Sequence, residues 1–311
     1  MCSARERGRG ATPAGKTLVS KVQRNTASLQ EISLVAKIRQ LPLASHYFLL
    51  PEPEICHLNA SEKPMLRQSC DVVENIPFER LTQLTVPYGG QSLRAATIDF
   101  QTFSFKRFMK HLLEGVKLLK TNGYVHADLH LGNVLLSSAN LPLIIDFAKL
   151  ISLKETSELQ IKNRFFAFES GHEQIPPECL LIAGLHLTPK TAEQLIDVIP
   201  NMNAVHSIAA NYANYSREEQ QADLRAFLKR FMAENPTMYL DIPTFWQSIS
   251  SKFDVFSCGY IFVNLLSNFL RSPYFSRSQG TSPIIQKVIR GLLSTNPYER
   301  LSPEEALHLL N

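Results

Sequence analysis

Three polar side chains in the middle of the chain could carry out phosphoryl-transfer chemistry. Asp128 and Asn133 are five residues apart in the run Val125 to Asn133, and Asp146 follows a short apolar segment. One carboxylate can orient a hydroxyl nucleophile, while a second carboxylate and an amide oxygen can hold Mg²⁺. The types and spacing of these residues therefore favour transfer of a phosphoryl group.

The flanking residues predict the elements that must position these groups. Two apolar runs, 133–136 and 143–145, are joined by residues 137–142 and predict a hairpin with Asn133 and Asp146 at the same end. Apolar residues recur at helical spacing from Phe105 to Leu119, and Gly123 is suited to the end of that helix. The candidate reactive residues should thus follow a long helix directly.

The N-terminal third predicts a strand, a helix and a second strand. The strands are Thr17 to Val22 and Leu81 to Val86, and the glycine pair Gly89-Gly90 after the second strand predicts a turn or hinge. Ser28 and Glu31 have the spacing of a capping box. The helix that this box would open has apolar residues at Leu29, Ile32, Val35, Ala36 and Ile38, and it should end before Pro42.

Composition sets broad limits on the function. The chain has 311 residues, is 44% hydrophobic and carries a net charge of +4, so it can bury a core and gives no reason to expect a nucleic-acid or membrane partner. Its five cysteines form no C-x-x-C pair, which favours a reducing compartment. The most apolar stretch, Cys258 to Leu270, is interrupted by polar residues and is short for a membrane span. We expect a soluble, cytoplasmic protein.

The central residues resemble the motifs of the eukaryotic-type protein kinases. The kinase catalytic loop, H-R-D-x-x-x-x-N, corresponds to His126-Ala127-Asp128 with Asn133, and the metal motif D-F-G to Asp146-Phe147-Ala148. The resemblance implies ATP and Mg²⁺ as cofactors, with Asp128 as the base that orients the hydroxyl of a protein substrate. It also implies that Asn133 and Asp146 bind the metal.

Three downstream motifs extend the resemblance to about residue 301. Pro176-Pro177-Glu178 resembles A-P-E, Asp254 to Gly259 resembles D-x-W-S-x-G, and Asn296 to Arg300 resembles the closing motif whose Arg pairs with the A-P-E Glu. The implied fold is α+β and bilobal, with a small β-rich N-lobe at residues 1–88 and a large, mainly helical C-lobe at residues 89–311. Its implied ion pair joins Glu178 to Arg300.

The 75 residues between Glu178 and Asp254 exceed what the family predicts, so we interpret residues 180–252 as a helical insertion. Within it, an apolar stripe predicts an amphipathic helix from about Arg217 to Ala233. This helix could pack on the large lobe or dock a partner or substrate.

The resemblance is weaker in the N-terminal third. It implies that Lys21 contacts the ATP phosphates and is held by Glu31, and that Val86 and Tyr88 line the nucleotide site beside the hinge. No G-x-G-x-x-G loop precedes Lys21. The overall pattern is similar to the divergent serine/threonine protein kinases of large DNA viruses, which implies a virus-infected host cell as one location.

Other functions stay open at this point. Gly10 to Thr17 matches the Walker A pattern of P-loop NTPases, although no apolar strand precedes it. His130, a further candidate catalytic residue, and Gly132 also fit the H-G-D-x-H-x-G-N loop of aminoglycoside and choline phosphotransferases. A pseudokinase scaffold would explain the missing glycine loop and Ala148. Ala127 replaces the Arg that holds a phosphorylated activation loop in many relatives, so that mode of regulation is not expected.

Overall fold

The computed structural model describes residues 17–58, 61, 64, 66, 72–153, 157–165, 168, 172–235, 241–271 and 283–311. The fold is α+β, with a small strand-containing N-terminal region and a larger helical part. The described strands are β1 Leu18–Arg24, β2 Ile55–His57, β3 Leu81–Pro87, β4 Gln91–Ser92, β5 Tyr124–Val125, β6 Val134–Leu136, β7 Pro142–Ile144 and β8 Ile151–Ser152. The Walker A match lies outside the described residues, apart from Thr17.

The described helices are numbered in chain order, omitting single 3₁₀ turns. They are α1 Asn25–Arg39, α2 Ala44–Tyr47, α3 Val72–Asn75, α4 Phe105–Thr121, α5 Glu158–Phe165, α6 Pro177–Leu187, α7 Ala192–Met202, α8 Ala204–Tyr212, α9 Arg217–Glu234, α10 Ile242–Ile249, α11 Phe253–Leu270, α12 Pro283–Leu292 and α13 Pro303–Leu310.

An antiparallel sheet of order β1-β3-β2 forms the N-terminal part, and both strands predicted there are confirmed. Lys21 on β1 lies opposite Leu84 on β3, which is fully buried. Because β1 runs directly into α1, the strand that carries Lys21 and the helix that carries Glu31 are joined without a loop. Their side chains can therefore meet.

The predicted start of α1 is wrong. The helix begins at Asn25, and Ser28 lies inside it with its hydroxyl hydrogen-bonded to that of Thr82 at 2.8 Å. Glu31 does not cap the helix, because its carboxylate accepts hydrogen bonds from Lys21 and Gln23 instead. The inward face comprises Ser28, Glu31, Val35 and Ile38, whereas Leu29, expected on the apolar face, is 56% exposed.

The long helix and the hairpin that flank the central residues are confirmed. Helix α4 ends at Thr121, and Gly123 follows with a φ of +78°, a left-handed conformation that glycine adopts without a steric penalty. Strands β6 and β7 pair antiparallel, with Val134 opposite Ile144. The backbone N–H of Ile145 also donates to the carbonyl of Asn133 at 3.0 Å, which brings the residues before Asp146 to the catalytic loop.

The described residues between Glu178 and Asp254 form helices joined by short connections. The predicted amphipathic helix is α9, and its apolar residues Leu224, Phe227, Leu228 and Phe231 are buried. They belong to one hydrophobic cluster with Leu181 of α6 and Trp246 of α10. This burial supports the packing role of α9. The boundaries of the lobes and of the insertion stay a prediction.

Among the described residues, one helical stretch is long and apolar enough to cross a membrane by length and composition alone. It runs from Ile242 to Leu270 because α10, a 3₁₀ turn at Ser250–Lys252 and α11 are continuous. Its most apolar window is 78% buried inside the protein, as a core helix would be.

Candidate active site

The Asp128 carboxylate lies at the end of a short loop and is held by two side chains. Its Oδ1 accepts a hydrogen bond from the Nζ of Lys149 at 2.9 Å. The amide nitrogen of Asn133 donates to the Asp128 carbonyl at 3.0 Å and, more weakly, to Oδ2 at 3.3 Å. Asp128 and Asn133 are therefore in contact.

A buried carboxylate holds the backbone of this loop. Asp254 accepts hydrogen bonds from the backbone N–H groups of His126 at 2.6 Å and Ala127 at 2.9 Å. Ala127 has a φ of 67°, a left-handed conformation that costs a residue with a Cβ about 1–2 kcal/mol. Asp254 lies within the first turn of α11 rather than capping it, and burial raises the pKa of its carboxyl to about 6. Its bonds offset the strain at Ala127.

His126 is a packed, hydrogen-bonded residue. Its side chain is fully buried, and its Nε2 lies 3.0 Å from the carbonyl oxygen of Ile145. Burial lowers the pKa of His126 to about 4, so the ring is neutral at pH 7. It ties the catalytic loop to the strand end that precedes Asp146.

Asp146 lies on the same wall of the site as Asn133, and Lys21 lies on the facing wall. Asp146 has a φ of 65°, and its Oδ1 accepts a hydrogen bond from Lys21 Nζ at 2.7 Å. Lys21 also donates to both oxygens of Glu31, at 2.8 and 3.1 Å, and the Glu31 side chain is only 2% exposed. The predicted Lys21–Glu31 pair is therefore present and reaches Asp146 as well.

The pKa values of this triad follow from its charges. Burial alone would lower the pKa of Lys21, but the negative charges of Asp146 and Glu31 outweigh burial and hold it above its ordinary value. Burial alone would likewise raise the pKa of Asp146, but the Lys21 charge holds it below its ordinary value. Lys21 and Asp146 are both charged at neutral pH.

A cleft of about 530 Å³ lies between the two walls. Its lining includes Lys21 and Glu31 on one side, Asn133 and Asp146 on the other, and Val86 and Tyr88 at the hinge-like segment, as the resemblance implied. Gly90 has a φ of 118°, and a Cβ there would lie 2.0 Å from the carbonyl oxygen of Leu136, so only glycine fits.

His130 lines the same cleft and is hydrogen-bonded within its own loop. Its Nδ1 accepts the backbone N–H of Gly132 at 2.9 Å, and burial lowers the pKa of the ring. A Cβ on Gly132 would lie 2.8 Å from the His130 ring, which explains the glycine. The ring therefore supports the loop, and a catalytic role for His130 stays a prediction.

The residues present fit a magnesium ion shared with a nucleotide. The Asn133 amide nitrogen is engaged by Asp128, which leaves its oxygen as the ligand atom, and Asp146 Oδ2 remains beside the Oδ1 that Lys21 binds. Mg²⁺ takes one or two protein oxygens and completes its shell with water and phosphate oxygens. The described residues contain no cluster of three or more His, Cys, Asp or Glu side chains suited to a metal.

Sequence reasoning missed two cations at this site. Lys149 contacts Asp128, and Arg94, which follows β4, lines the cleft beside Gly132. The only signal for Lys149 was its position three residues after Asp146. Nothing in the sequence placed Arg94 here, because its position depends on how the chain continues after the hinge.

The distant ion pair implied by the resemblance is present. Arg300 binds Glu178 through two parallel hydrogen bonds of 2.8 and 2.7 Å, and both side chains are fully buried. The Nε of Arg300 also donates to the carbonyl of Ser294 at 2.8 Å. The pair fixes the start of α6 against the segment that precedes α13.

Comparison with known proteins identifies the family. No curated protein matches the chain significantly, and the narrower resemblance to viral kinases is not supported. The family model described as protein kinase domain matches residues 3–309, nearly the whole chain. Since this match covers the cleft, the loop of Asp128 and the buried Glu178–Arg300 pair, the chain belongs to the protein kinase domain family.

Proposed function

We propose that this protein kinase domain transfers the γ-phosphoryl group of Mg²⁺-bound ATP to a serine or threonine hydroxyl of a protein. The observation that carries the proposal is the pair of contact sets at one cleft. In the first set Glu31 binds Lys21 and Lys21 binds Asp146; in the second, Asn133 binds Asp128. All the charged positions that phosphoryl transfer needs are occupied.

In the proposed reaction, each residue acts on a defined part of the substrates. Lys21 would bind the α- and β-phosphates, while Asn133 and Asp146 would hold the metal, which when bound neutralises charge on the phosphates. Asp128 would accept the proton of the substrate hydroxyl as its oxygen forms a bond to the γ-phosphorus. The bond from that phosphorus to the β–γ bridging oxygen breaks, and ADP leaves with the electron pair.

The test is transfer of radiolabel from [γ-³²P]ATP by wild type, Asp128→Ala and Asp146→Asn. Acceptors are serine, threonine and tyrosine peptides, a generic protein and a panel of aminoglycosides. We expect label on serine or threonine, and a loss in both variants on the order of 10²-fold or more. Glu304→Gln is the matched control, because its carboxylate is 41% exposed and does not line the cleft.

Each other outcome points to a different function. Label on an aminoglycoside would move the protein to the small-molecule phosphotransferases, for which the contact of His130 with Gly132 is the supporting feature. Label on tyrosine alone would correct the acceptor preference. Absence of both transfer and Mg·ATP binding in wild type would indicate a scaffold.

Two further expectations stay predictions. The 180–252 region could dock a partner, although the apolar residues of α9 are buried within the domain. An intracellular location rests on cysteine usage alone.

A further inference from the structure

Lys149 lies at the end of a 3₁₀ turn, Phe147–Lys149, whose backbone is fixed on both sides. Phe147 before it is fully buried, with its ring 5.0 Å from that of His126 and 5.5 Å from that of Phe48. Leu150 after it is 2% exposed, and its N–H donates to the carbonyl of Phe147. The ammonium is therefore carried on a rigid turn, not on a mobile loop.

This turn connects the metal-binding carboxylate to the proposed base. Asp146 begins the turn, and Lys149 ends it with its ammonium 2.9 Å from Asp128 Oδ1. Since Asn133 donates to the other oxygen, the Asp128 carboxylate is held at both oxygens by groups from different segments. Its orientation is thereby fixed before any substrate binds.

The Lys149 ammonium also lies near the place where negative charge would develop on the transferring phosphoryl group. A hydroxyl bound to Asp128 and the phosphorus that it attacks must both be within a few ångströms of this carboxylate. A fixed cation in such a place stabilises the transition state without reorganisation, and losing one preorganised group of this kind costs on the order of 10²-fold in rate. The ion pair itself contributes little stability, because the Lys149 side chain is 47% exposed.

We propose that Lys149 is a positioning residue for the transfer step: its ammonium orients the Asp128 carboxylate and places a positive charge beside the transferring phosphoryl group. This inference rests on the proposed function and deepens it. It assigns Lys149 a role in the rate of transfer and none in binding ATP, which Lys21 would hold from the opposite wall.

The experiment compares steady-state kinetics of wild type, Lys149→Met and Lys149→Arg with ATP and the accepted peptide. Lys149→Met should lower kcat on the order of 10²-fold and change the KM for ATP little, whereas Lys149→Arg should restore most of the rate. Mg·ATP binding and the melting temperature should be unchanged in both. The matched control is Lys120→Met, which removes a partly exposed ion pair with Glu304, 2.9 Å long, and should leave kcat unchanged.

The outcomes separate this inference from the proposed function. If wild type transfers phosphate and Lys149→Met keeps its kcat, the inference is overturned and the function stands. A higher kcat in Lys149→Met would also overturn it, since Lys149 would then be blocking Asp128. A loss that Lys149→Arg does not restore, or that accompanies lower thermal stability, would assign Lys149 a structural role instead. If wild type transfers nothing, both proposals fall.

Discussion

Replacing Arg300 by methionine tests whether the family's buried ion pair holds this fold together. The change removes the guanidinium but keeps an apolar side chain of similar length. It leaves the Glu178 carboxylate fully buried without a cationic partner and removes the donors to the carbonyls of Ser294 and Lys252. The fold should therefore lose stability sharply.

The magnitude follows from burial. Removing one partner of a buried ion pair costs about 3–5 kcal/mol, because the remaining charge is buried away from water and has no opposite charge beside it. Domains unfold with a free energy of about 5–15 kcal/mol, so the variant should retain only a fraction of that. Replacing both partners, in Glu178→Leu with Arg300→Met, should be much milder than the single change.

Urea denaturation followed by circular dichroism at pH 7 measures these differences. Arg225→Met is the matched control, because Arg225 also binds a carboxylate, that of Glu193, through three hydrogen bonds, but on the surface. We expect little change there. An Arg300→Met variant as stable as the control, or a double variant less stable than either single variant, would refute the reasoning.

Three further predictions concern the site and the pH dependence of stability. Glu31→Gln should lower kcat/KM about 10-fold or more, because Lys21 loses its buried charged partner; peptide kinetics would show it. Burial lowers the pKa of His206 to about 4, so the stability that the neutral ring contributes above pH 6.5 should be lost as pH falls towards 4. The loss is about 3 kcal/mol, and urea midpoints of wild type should converge with those of His206→Asn across that range. Chelation by EDTA should abolish transfer yet leave the melting curve unchanged; a lowered melting temperature would reveal a structural metal instead.

The elements around the active site could be predicted because their sequence signals are local. The hairpin of β6 and β7, helix α4 and helix α9 each have an apolar pattern that fits one kind of element. The pairing of Glu178 with Arg300 came from the family resemblance alone, since 122 residues separate the partners.

The start of α1 could not be predicted because one pair of residues satisfied two patterns. Ser28 and Glu31 have the spacing of a capping box and also lie on one face of a helix. Lys21 lies on the adjacent strand, and its charge attracts the Glu31 carboxylate. Glu31 is therefore buried against Lys21 and does not cap the helix. That choice depends on tertiary contacts.

The contacts that hold the loop of Asp128 also could not be predicted from the sequence. Ala127 and Asp146 have a positive φ, which their residue types do not predict. Asp254 stabilises the first of these from a helix 127 residues away in the chain. Lys149 reaches Asp128 only because its turn is anchored by Phe147.

The most direct test of the central claim is the position of the metal. A crystal structure with a non-hydrolysable ATP analogue and Mn²⁺ would locate the ion by its anomalous scattering. We predict a peak roughly 2.1 Å from Asn133 Oδ1 and from a carboxylate oxygen of Asp146, with phosphate oxygens completing the shell. A nucleotide bound in the cleft with its metal held by neither residue would contradict the account.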